Sequence, residues 1–146
     1  MQLFMSKLTE HKYIEWHRND VHKDCIKDLF LACPSTTELL QAFPQVLIID
    51  CTYKTNRHDM SLLEIEIVDV TLTNLTFLVC FANLESEREN NYIWALKRPK
   101  SIMEENMLPT FIVKDRELTL MKAIQNFFSK HNYISLQMTY IKKCIS

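Results

Sequence analysis

The 146-residue chain contains no glycine at all. Average usage of ~7% would supply about ten, so any position that needs positive φ must use Asn, Asp or a strained residue. Two readings stay open: compositional chance, or drift from an ancestor with glycines at its turns. Charge imbalance is also lacking, since 17 Lys+Arg against 18 Asp+Glu leave a net −1. Whole-chain charge therefore gives no reason to expect nucleic acid, a membrane surface or an acidic partner. No apolar run approaches the ~18 residues of a membrane span, and the opening MQLFMSKLTEHKY lacks the apolar stretch of a secretory signal. The expectation is a soluble, intracellular chain. Cys25, Cys33, Cys51, Cys80 and Cys144 never form a C-x-x-C pair, which speaks against a disulfide framework or zinc ribbon and fits a reducing compartment. His11, His17 and His22 match no metal-ligand spacing.

What is present is a globular composition, 47% hydrophobic and 24% charged, enough for one domain with a sizeable core. Residues 1–18 show no clear period. From Asn19, the positions Val21, Cys25, Ile26, Leu29 and Phe30 recur at helical spacing and predict a helix that Pro34 ends. Ser35 and Glu38 have the spacing of a capping box for a second short helix before Phe43-Pro44. The period then changes. Residues 46–54 read as an apolar strand, 61–70 alternate Leu63, Ile65 and Ile67 with Glu64, Glu66 and Val68, and 75–82 are rich in β-formers. Asn56, Asp59 and Asn74 in the connections make an antiparallel meander the economical reading. Tyr92, Leu96, Met103 and Met107 mark one face of a helix over 90–106, which Pro99 is expected to bend or split. A short strand, 109–115, and a helix, 116–128, with Leu120, Ile124, Phe127 and Phe128 inward complete the pattern. The predicted domain plan is a helical lead, 1–44, and an α/β core, 45–146.

Asp50 and Asp115 each end an apolar β run, VLIID and FIVKD, 65 positions apart. If the second strand lies parallel to and beside the first, about 4.8 Å away, both carboxylates reach the same end of the sheet. Such a pair suits Mg²⁺, which takes one or two protein carboxylates together with waters and phosphates. Other readings remain open: Asp115 as the cap of the following helix, Asp50 as the start of a bend or a contact of Lys54. Alternation alone explains Glu64 and Glu66 as a solvated strand face.

The segments FPQVLIIDCTYKTNRHDMSLLEI and VTLTNLTFLVCFANLESERENNYIWALKRPKSIMEENMLPTFIVKDRELTLMKAI together resemble the MULE (Mutator-like element) transposase domain, also found in plant proteins of the FAR-RED-impaired-response type. The resemblance covers roughly residues 24–128, and its specific part is the pairing of IDCTYKTN with KDRELTLMKAI. It implies an RNase H-like mixed sheet: an antiparallel meander, a crossover helix, and a strand parallel to the first. It also implies a DDE/D transposase mechanism, in which acidic residues hold Mg²⁺ or Mn²⁺ while water or a DNA 3′-hydroxyl attacks a phosphodiester. By that resemblance Asp50 and Asp115 are the first and second catalytic and metal-binding acids, DNA is the partner, and the nucleus is the compartment.

Several departures qualify what the resemblance implies. The family's third acid is a glutamate well beyond the second aspartate, and this chain has no acidic residue after Glu117. The family's C-x-W-H-like segment is missing from SLQMTYIKKCIS, Asp69 stands where a glycine is usual, and Pro99 interrupts a helix. The expectation is a truncated or degenerate copy, its sheet incomplete at the C-terminus and its catalysis lost. A change of reading frame near residue 129 is one way to the altered tail. The alternative is a domesticated, non-catalytic DNA- or protein-binding module. Neither a zinc-binding DNA domain nor a basic region marks such a module here: Lys97, Arg98 and Lys100 form a basic cluster that a solvated helix face explains, with fewer charges than phosphate-based affinity needs.

Overall fold

The computed structural model describes residues 2–53, 58–68, 75–103, 109, 111–114, 117–129 and 137–140. The alternating stretch after residue 45 forms three strands as expected: β3 (Val46–Thr52), β4 (Ser61–Val68) and β5 (Thr76–Leu84). β3 pairs antiparallel with β4, and β4 with β5. Asp59, in the β3–β4 connection, has a positive φ of 54°, while Asn56 and Asn74 lie outside the described residues. Further along, α3 (Glu89–Ile102) leads to β6 (Phe111–Lys114), which pairs parallel with β3. This is the RNase H-like arrangement that the resemblance implies.

The segment before residue 45 corrects the sequence reading. It holds α1 (Gln2–Glu10), β1 (Ile14–Asn19), β2 (Ile26–Ala32) and α2 (Pro34–Ala42). The helix expected between Asn19 and Pro34 does not form, because Val21 and Cys25 are exposed in the β1–β2 connection and Ile26–Ala32 pair antiparallel with both β1 and β5. The lead is thus not wholly helical, and two of its elements are strands of the same sheet. The Ser35–Glu38 cap is also replaced. Cys33 is the N-cap without a side-chain cap bond, and Pro34 opens the helix at N1, where its missing N–H costs nothing. Pro99 does not split α3, which runs through it and stops at Ile102.

The tail adds β7 (Gln137–Tyr140), parallel to β6. Among the described residues the sheet has seven strands in the order β1-β2-β5-β4-β3-β6-β7, so β6 is flanked on both sides. One face of the sheet carries the core. Leu47 and Ile49 of β3, Leu63, Ile65 and Ile67 of β4, and Ala82 and Leu84 of β5 are buried with Leu40 of α2, Tyr92, Ala95 and Leu96 of α3, and Leu120, Ile124 and Phe127 of α4 (Leu118–Ser129). At about 25 cal/mol per Å² of apolar surface removed from water, this burial is the main stabilising contribution.

Candidate metal centre

Asp50 lies near the carboxyl end of β3, a strand with β4 on one side and β6 on the other. That placement explains the run VLIID: a strand with neighbours on both edges and a core beneath one face favours β-branched residues throughout. Successive side chains alternate, so Ile49 and Cys51 face the helices while Asp50 points to the opposite face. Directly across the strand pair stands Glu64, with Glu66 across from Ile48 on the same face. The Glu66 carboxyl is held above the ordinary carboxylate value, first by partial burial and then by the charges of Glu64 and Asp50. Three carboxylates thus share one strip of the sheet.

The parallel register is the decisive geometry. Val46 pairs with Phe111 and Ile49 with Lys114, each pair 65 positions apart, the same separation as Asp50 and Asp115. Asp115 itself lies just outside the described residues. The donors at this end of the sheet are carboxylate oxygens, the hard ligands that Mg²⁺ and Mn²⁺ take. Among the described residues no three His, Cys, Asp or Glu groups come together to hold an ion by themselves.

On the helix side of the same strand end, Cys51 is enclosed by polar partners that the sequence reading did not single out. The Tyr92 hydroxyl donates to Cys51 Sγ at 3.4 Å, and the thiol donates to Glu87 Oε1 at 3.9 Å. Ser61 Oγ donates to the same Glu87 oxygen at 2.9 Å. Burial pushes the Cys51 thiol up to about 12, against the lowering effect of the Tyr92 hydrogen bond and with further raising by Glu87, Glu117 and Asp50. Burial, then Cys51, raises the Tyr92 hydroxyl as well. Glu117 has a second task. Its two oxygens accept the backbone N–H groups of Thr119 at 2.9 Å and Leu120 at 2.6 Å, so it caps α4, the role weighed for Asp115. The signal was available, since an acid just ahead of an apolar helical run is an N-terminal mark.

Two of the three cations in the basic cluster lie over aromatic rings, while Lys97 is exposed. Arg98 stacks on Trp16 at 4.7 Å and on Trp94 at 5.7 Å, and Lys100 lies 5.6 Å over the Phe127 ring. A pocket of about 500 Å³ lined by His11, Tyr13, Cys33, Pro34 and Ser35 involves none of the groups around Asp50. Among the described residues no helix is long and apolar enough to cross a membrane.

A family model for the MULE transposase domain matches residues 46–138, from the first residue of β3 into β7. The match begins later than the stretch 24–128 and continues past residue 129. Similar solved structures include the HTLV-2 integrase catalytic core domain in complex with magnesium. In its dimeric form it is 15% identical with a TM-score of 0.43, the likeness covering 67% of this chain and 61% of that one. The trimeric form is 18% identical with a TM-score of 0.40, over 65% and 59%. A simian T-cell lymphotropic virus intasome in complex with PP2A regulatory subunit B56 gamma is 13% identical with a TM-score of 0.39, over 68% and 35%. The chain thus spans less than two-thirds of the length of each. No curated protein matches it. With more than half of its residues inside the family match, including β3 and Asp50, the chain belongs to the MULE transposase domain family.

Proposed function

We propose that this chain carries part of a DDE/D transposase metal site, with Asp50 and Asp115 as its ligands for Mg²⁺ or Mn²⁺ and DNA as its partner. The observation that supports the reading is the parallel register of β3 and β6, whose offset of 65 positions equals the separation of the two aspartates. A bound ion would polarise a phosphodiester oxygen and activate the attacking hydroxyl. The chain's own contribution is orientation: a strand paired on both edges holds the Asp50 backbone, and Glu64 across from it adds negative charge beside it.

No acidic residue follows Glu117, so the family's third acid has no counterpart in these 146 residues. Because a working site must hold its groups within about 0.5 Å of the productive geometry, the chain on its own binds metal weakly and transfers no strand. A DNA partner makes the nucleus its working compartment. Calorimetric titration of Mn²⁺ tests the reading: the wild-type protein shows weak uptake that Asp50→Ala and Asp115→Ala each abolish. Equal uptake by wild type and Asp50→Ala removes Asp50 from the site.

A further inference from the structure

We propose that Tyr92 and Glu87 are positioning residues for Asp50, acting through the side chain of its neighbour Cys51. This inference rests on the reading of Asp50 as a metal ligand. Adjacent residues of a strand share a peptide plane, so fixing the inward side chain of Cys51 fixes the rotation of the strand end and with it the direction of Asp50. Three donors define that fix: Tyr92 to Cys51, Cys51 to Glu87 and Ser61 to Glu87. Tyr92 is fully buried and Ser61 nearly so. The three donors come from α3, β3 and β4; Cys51 and Ser61 meet on one Glu87 oxygen, and Tyr92 holds Cys51 from the other side.

The backbone just before that carboxylate is held. Glu87 lies in the connection between β5 and α3, where the Glu85 N–H donates to Asp28 Oδ1 at 3.1 Å. Asn91 Nδ2 donates to the Ser86 carbonyl at 2.8 Å and to its hydroxyl at 2.9 Å. Arg18 joins the two anchors, donating to Asp28 at 2.9 Å and to Asn91 at 3.0 Å. These contacts, which begin at the far edge strand β1, hold residues 85 and 86, and the backbone joins them to Glu87 and its contacts with Cys51 and Ser61. None of these residues need touch the ion, and partners of this kind change metal affinity by orienting the ligand.

The experiment is calorimetric titration of Mn²⁺ into wild type, Tyr92→Phe, Cys51→Ala, Cys51→Ser and Asp50→Ala, each melted in parallel. Tyr92→Phe and Cys51→Ala remove no carboxylate, and each should weaken Mn²⁺ binding about tenfold. Cys51→Ser keeps a group that accepts from Tyr92 and donates to Glu87, and should retain wild-type affinity. A purely structural role would lower the melting midpoints without separating serine from alanine in metal affinity. If Asp50→Ala loses binding while Tyr92→Phe and Cys51→Ala bind as wild type does, the positioning inference falls and the metal reading stands. If wild type takes up no Mn²⁺, or Asp50→Ala binds equally, both fall. Should Tyr92→Phe fail to fold, the comparison of Cys51→Ser with Cys51→Ala decides.

Discussion

Lys12 stands where the absence of glycine is felt. It has φ of 56° at the end of α1, with Tyr13 N–H bonded to the Leu8 carbonyl at 2.9 Å and Lys12 N–H to the Thr9 carbonyl at 3.1 Å. That is a Schellman motif, whose left-handed residue is usually glycine. The left-handed conformation costs about 1–2 kcal/mol, and glycine's freedom in the unfolded chain takes back about 0.4–1, leaving a net gain of about 0.5–1 kcal/mol for Lys12→Gly. α1 has no buried residue, so the gain should appear locally, as about two- to fivefold slower hydrogen exchange at the Tyr13 amide. Glu66 makes a different test. Its folded-state affinity for a proton is raised, so the associated stability is complete below the ordinary carboxylate value and is lost as pH rises through the raised one. Glu66→Gln should therefore melt higher than wild type at pH 7 in metal-free buffer, with the difference shrinking as pH falls to 4. A constant difference across that range would assign the effect to something other than ionisation.

Among the elements, the edge pair β1 and β2 depends on a polar contact rather than on apolar surface alone. Asp28 is fully buried, takes Arg18 Nη2 at 2.7 Å, and also holds the Glu85 amide. Arg18 in turn stacks 4.7 Å from the Trp94 ring. Breaking a buried ion pair costs ~3–5 kcal/mol, and with the Arg18 side chain 34% exposed the lower end applies. Asp28→Ala should lower unfolding stability by about 3 kcal/mol, seen as a shifted urea midpoint at unchanged slope. These same elements show where sequence pattern stops being informative. β4 was legible because one face is core and the other bears Glu64 and Glu66. β2 was not, because Phe30, Leu31 and Ala32 are all buried, so the alternation vanishes and the apolar spacing fits a helix equally well. In β1, Ile14, Trp16 and Arg18 do alternate with Glu15, His17 and Asn19, but an arginine at an inward position hides the pattern. Its inward placement follows only from the fold, which brings Asp28 and Asn91 to it.

At the scale of the whole molecule, the sheet order β1-β2-β5-β4-β3-β6-β7 puts β3 and β6 side by side and parallel. The candidate site was legible to the extent that two strand-ending aspartates imply this pairing. Glu87 and Tyr92 were not legible, because only folding brings the β5–α3 connection and α3 against Cys51, 36 and 41 positions away in sequence. The central claim is that the ends of β3 and β6 form one metal site. It is tested most directly by adding Mn²⁺ to isotopically labelled protein and reading which backbone amide signals its unpaired electrons broaden. The account predicts broadening centred on residues 49–51 and 114–116 together, reaching the facing β4 residues 63–65 and absent in Asp50→Ala. Broadening confined to one of the two segments, centred elsewhere, or unchanged in Asp50→Ala would contradict it.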